Sequence, residues 1–117
     1  MTPHELLKTR EAIQRQILAD PELQPSAKLI GVAISWHTNA KEGGEARPGI
    51  KTLAKAAAVN VRTAYKCVAQ LESRRHYQIE HRGGRHKANI YLPTPWRDME
   101  LPEDIQQKNG DMQDTKR

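Results

Sequence analysis

Side chains that could hold an anion gather in one part of this 117-residue chain. Residues 60–92 carry seven Lys or Arg against two Asp or Glu, whereas residues 93–117 carry four basic against six acidic side chains. Arg62 and Lys66 stand four apart with Tyr65 between them in "NVRTAYK", and Arg82, Arg85, His86 and Lys87 flank a Gly-Gly in "RGGRHK". Guanidinium and ammonium groups supply donors and a fixed positive charge, so a cluster of them creates a local field that gathers polyanions. The charge alone does not say which polyanion.

Other reactive residue types lead less far. His76, His81 and His86 recur every five residues and raise the question of a metal. An odd spacing puts His76 and His81 on opposite faces of a strand, and no Cys or acidic set completes a site, so no metal is expected. Cys67 is the single cysteine, which excludes an internal disulfide and a multi-cysteine zinc site. With no activating base or resolving thiol beside it, Cys67 reads as a small buried apolar residue. The chain has no Gly-rich phosphate loop, no nucleophile set with His and Asp, and no paired carboxylates. Catalysis, a cofactor and a small-molecule substrate are therefore not expected.

Cysteine usage favours a reducing compartment, with the cytoplasm as default. No apolar run approaches the roughly 20 residues of a membrane span, and "MTPHELLKTREAIQRQ" mixes charges into its apolar positions, unlike a secretory signal. Leu, Ile and Val together make up only 21 residues, with no Phe. They concentrate before residue 93, which predicts one small Ala-lined core followed by a flexible polar tail or linker over 93–117.

The elements that must position the basic residues follow from periodicity. Leu6, Ile13 and Ile17 repeat at helical spacing, widened by Leu7 and Leu18, so residues 1–22 read as an amphipathic N-terminal helix ended by "DPELQP". A second helix runs from about Ser26 to His37, where Leu29, Ile30, Ala33, Ile34 and Trp36 cover enough of the circumference to make it central. "NAKEGGEARPG" reads as loop. Ile50, Leu53, Ala54 and Ala57 form one face of a third helix, and Asn60 caps a fourth that places Ala64, Cys67, Val68 and Leu71 inward. "YQIEHR" and "ANIYL" then read as two strands of a hairpin with a basic tip, in which Tyr77 and Tyr91 pack the wing or core.

Helix, helix, tight turn, helix and hairpin make a mainly α fold with a small β-hairpin wing. "LQPSAKLIGVAISWHTNA", "RPGIKTLAKAAAVNVRTAYKCVAQLE" and "RGGRHKANIYL" resemble the winged helix-turn-helix domains of phage and plasmid replication proteins and related regulators, over residues 23–92. The most specific parts are "LAKAAAVNVRTAYKCVAQLE" and the Asn89-x-Tyr91 that closes the wing. Ala58 stands where that pattern usually has Gly, so a left-handed backbone there would be costlier, and Ala64 stands where it usually has a β-branched residue.

The resemblance implies sequence-specific double-stranded DNA binding, in transcriptional regulation or in recognition of a replication origin of a plasmid, phage or other mobile element. It implies that the fourth helix enters the major groove, with Asn60, Val61, Arg62, Thr63, Tyr65, Lys66 and Gln70 at or near the bases. Arg62 would pair bidentately with guanine, Lys66 with guanine or phosphate, and Val61 would pack on a thymine methyl. Lys51 and Thr52 would meet a phosphate at the start of the third helix, and Arg82, Arg85, His86 and Lys87 would follow the backbone or the minor groove. A competing expectation is a protein-interaction adaptor on the same scaffold. The stripe on the first helix must also be buried, either against its own domain or in a homodimer.

Overall fold

The first helix begins where Thr2 can cap it. In the computed structural model, which describes residues 1–82 and 87–96, the Thr2 hydroxyl accepts from the Glu5 N–H at 3.1 Å and the Glu5 carboxylate accepts from the Thr2 N–H at 3.3 Å. That reciprocal box starts α1 (Pro3–Ala19), and Ile13 and Ile17 on its inner face are fully buried. Ile13 and Ile17 of the expected stripe are thus covered within the chain itself, whereas Leu6 is half-buried and Leu7 and Leu18 stay exposed.

The second helix, α2 (Pro25–Trp36), packs against α1, α3 (Ile50–Ala56) and α4 (Val61–Ser73), as its apolar circumference predicts. Ile30 and Ile34 are fully buried. Gly31 lets its neighbours close in, because a Cβ there would lie 2.9 Å from both Ile17 Cδ1 and Leu71 Cδ2. Leu29 and Trp36, expected in the central face, are instead 55% and 64% exposed. Three helices cover three sides of α2, and these two residues, seven apart, share the open one.

"NAKEGGEARPG" is not wholly loop. It contains part of β1 (Thr38–Asn39), a single 3-10 turn (Ala40–Glu42) and β2 (Glu45–Ala46). With β3 (Tyr77–Glu80) and β4 (Ile90–Pro93) these form an antiparallel sheet in the order β1-β2-β4-β3, with Ala46 opposite Tyr91 and Ile79 opposite Tyr91 on the other side. Two-residue strands are too short to show alternation; β1 pairs with β2, and β2 in turn with β4. The fold is mainly helical with a small antiparallel sheet, as expected. Tyr77 and Tyr91 are buried, edge to face with ring centroids 6.2 Å apart.

Residues 93–96, expected at the start of the tail, pack on the folded domain. Pro93 pairs with Tyr77, the Thr94 N–H donates to the His76 carbonyl at 3.0 Å, and Trp96 is 8% exposed. Residues 97–117 lie outside the described residues.

Trp96 docks on a buried polar cluster that the sequence did not announce. Asp20, at the end of α1, is fully buried and accepts from Arg74 Nε at 2.9 Å, from Arg74 Nη2 at 2.7 Å, from His76 Nε2 at 2.8 Å and from the Glu22 N–H at 3.0 Å. Burial works to raise the pKa of Asp20, but the hydrogen bonds from His76 and Arg74 and the Arg74 charge outweigh it, and the carboxyl stays below its usual range. Asp20→Ala leaves a guanidinium and an imidazole without their acceptor and should cost about 3–5 kcal/mol in urea unfolding. By contrast, Glu11→Ala, which breaks the exposed Glu11–Arg15 pair, should change stability by less than about 1 kcal/mol.

Candidate functional site

The connection from α3 to α4 fixes what α4 presents. After α3 the Ala58 N–H donates to the Lys55 carbonyl at 3.2 Å and the Val59 N–H to the Ala54 carbonyl at 3.0 Å. Ala58 sits at φ +55°, so the left-handed residue expected to be costly without Gly is present. This paired closure turns Val59 back onto the core beside Ala54 and delivers Asn60 to the head of α4. The Asn60 side chain accepts from the Thr63 N–H at 2.7 Å, as an N-cap should.

Inward, α4 buries Ala64, Cys67, Val68 and Leu71. Outward, Arg62, Tyr65 and Lys66 are exposed, with Tyr65 at 57%. Val61 and Thr63 are half-buried, Val61 against the edge of the core, so they flank that face more than they form it. Gln70 has a partner within the chain: its Oε1 accepts from the Gln24 N–H at 3.1 Å, which ties α4 to the start of α2.

Lys51 and Thr52 are exposed in the first turn of the seven-residue α3. Lys55, one turn further on and four residues from Lys51, is exposed as well. In the wing, Arg82 and Lys87 are exposed, and the Arg82 N–H donates to Asn89 Oδ1 at 3.0 Å, closing the base of the loop. Arg85 and His86 lie outside the described residues. His81 Nε2 meets the Glu72 carboxylate at 2.9 Å and so braces the wing against α4. His76 faces Asp20 on the inside.

Cations without a carboxylate partner are most numerous on this face, although Lys8, Lys41 and Arg75 outside it also have none among the described residues. Arg15, Arg47 and Arg74 pair with carboxylates, and Arg10 and Lys28 bond backbone carbonyls. Lys51, Lys55, Arg62, Lys66, Arg82 and Lys87 have no carboxylate partner among the described residues. Their charge is therefore available to an external anion. Among the described residues no group of three His, Cys, Asp or Glu side chains is placed to hold a metal ion, and no helix is long and apolar enough to cross a membrane.

No family model matches the chain, and no curated protein matches it. Among solved structures it is similar to Bordetella bronchiseptica BpsR, a protein whose DNA binding is regulated by 6-hydroxynicotinic acid, at 17% identity over 96% of this chain and 74% of that one, with a TM-score of 0.44.

Arg75, which follows α4, is the second non-glycine residue at positive φ, +61°, in a closure of the same kind. Gly avoids the left-handed penalty but raises the entropy of the unfolded chain. Ala58→Gly and Arg75→Gly should therefore each stabilise the protein by about 0.5–1 kcal/mol, read as a raised urea midpoint at unchanged m.

Proposed function

We propose that this chain binds double-stranded DNA in a sequence-specific manner, with the N-terminal half of α4 in the major groove and the wing on the adjacent backbone. The observation that carries this reading is the exposed, uncompensated set Arg62, Tyr65 and Lys66 on a capped helix, flanked by Lys51 and Lys55 on α3 and by Arg82 and Lys87 at the wing. A helix fits the major groove, and the planar fork of Arg62 matches the two acceptors of guanine. Tyr65 offers an apolar ring to a thymine methyl or a hydroxyl to phosphate. The lysines supply register and affinity without reading sequence.

Within that reading the protein regulates transcription or marks a replication origin, in a plasmid, phage or other mobile element, by its resemblance to such proteins. It acts in the cytoplasm with no catalytic step and no cofactor. A protein-docking role, including self-association, has its own support in the exposed Leu7 and Leu18 of α1 and Leu29 and Trp36 of α2, residues that DNA contact through α4 does not use.

Arg62→Ala should weaken binding to the preferred duplex by about 1–3 kcal/mol and relax selectivity at one base position while leaving random DNA nearly unaffected. Duplex selection from a random pool followed by titration of both proteins measures this, and equal losses on both duplexes would make Arg62 a phosphate contact. Lys51→Ala with Lys55→Ala should make the dependence of log K on log salt shallower by about 1–2 units, because each lost phosphate contact removes about 0.9. An unchanged slope would place α3 away from the duplex.

A further inference from the structure

Gln16, half-buried on α1, lies between three groups whose hydrogen-bonding roles fix its own. Its Oε1 accepts from the Trp96 backbone N–H at 2.7 Å, and its Nε2 donates to the Thr94 carbonyl at 3.3 Å. A backbone N–H can only donate and a carbonyl can only accept, so the amide has one orientation. The same Nε2 lies 2.9 Å from His76 Nδ1, which must then be an unprotonated acceptor. The imidazole proton is therefore on Nε2, donated to Asp20 Oδ2 at 2.8 Å, and the buried ring is neutral. Trp96 completes the cluster, stacked on His76 with centroids 4.8 Å apart, its indole N–H donating to the Arg74 carbonyl at 3.1 Å.

A further proton on His76 has one place to go, Nδ1, where it would point at the Gln16 amide nitrogen. Turning the amide over presents Oε1 to that new N–H but sets the NH2 against the Trp96 N–H and Oε1 against the Thr94 carbonyl. In either orientation like groups face each other, and a buried polar group left unmatched is unfavourable. The charged groups facing His76 are Asp20 from the end of α1 and Arg74 from the end of α4, so protonation would also set two cations against one carboxylate.

We propose that Gln16 transmits the protonation state of His76 to Trp96, so that the chain leaving β4 is latched to α1 when His76 is neutral and released when it is charged. The device is local, because the Asp20–Arg74 pair and the apolar core do not depend on the Trp96 N–H. Burial, the largest influence on His76, keeps its pKa below the ordinary 6.5 against the opposing hydrogen bond and charge of Asp20. A folded pKa below the unfolded one means that the stabilisation is complete above pH 6.5 and is lost as pH falls below it through the folded value, which sets the direction of release.

The test follows the His76 ring resonances and backbone amide exchange by NMR on the full chain from about pH 8 to about pH 5. The protection factor of the Trp96 amide, taken relative to its intrinsic exchange rate, should fall at least tenfold as His76 titrates, while the amides of Ile34 and Leu71 keep theirs. Gln16→Glu supplies an acceptor to both Nδ1–H and the Trp96 N–H and gives up only the donor to the Thr94 carbonyl. In that variant His76 should titrate at higher pH and Trp96 should stay protected throughout. Constant Trp96 protection in the parent while His76 titrates overturns the proposal. So does loss of Trp96 protection only together with that of Ile34 and Leu71, or a Gln16→Glu protein that releases Trp96 as the parent does.

Discussion

A single buried carboxylate organises this molecule. An ionised group taken wholly out of water is unfavourable by several kcal/mol unless its lone pairs are met, and Asp20 meets all of its own from Arg74, His76 and the Glu22 amide. Those partners come from the end of α4, the entry to β3 and the link to α2. The ends of α1 and α4 and the start of the hairpin therefore cannot shift independently. Holding α4 at its C-terminal end leaves its N-terminal half free to carry Arg62, Tyr65 and Lys66 outward on a rigid mount.

The helix is also held by the geometry of its two flanks. Ala58 before it and Arg75 after it both adopt left-handed backbone, and both belong to closures that turn the next residue, Val59 or His76, inward. A side chain in that region costs about 1–2 kcal/mol, which the packing of Val59 and the bonding of His76 must offset. The strain and the polar cluster are linked, since Arg75 at φ +61° is what brings His76 to Asp20.

Much of this was legible in the sequence, where periodicity was long enough to count. The four helices, the hairpin, the inward faces of α3 and α4, the Asn60 cap and the burial of Cys67, Tyr77 and Tyr91 all follow from spacing and residue type. What was missed depends on partners distant in sequence. β2 joins the sheet by pairing Ala46 with the distant Tyr91 of β4. Gln70 is bonded to Gln24, 46 residues away, and Asp20 looked like one more residue of a helix-ending "DPELQP". His76 was weighed as a metal ligand because its spacing from His81 was visible and its distance from Asp20 was not. Trp96 carried a faint signal, a large aromatic in an otherwise polar stretch.

The latch cluster has a further consequence for how the chain reaches its fold and how long it keeps it. Its bonds join residues far apart in sequence, 54 and 56 residues for Arg74 and His76 to Asp20 and 80 for Trp96 to Gln16, whereas the α3–α4 unit closes locally. Closing a long loop gives up chain entropy before any contact returns it, so such bonds belong on the native side of the folding barrier. Interactions absent from the barrier state slow unfolding and leave the folding rate almost untouched. The cluster around Asp20 should thus act on the lifetime of the folded molecule more than on the rate at which it forms.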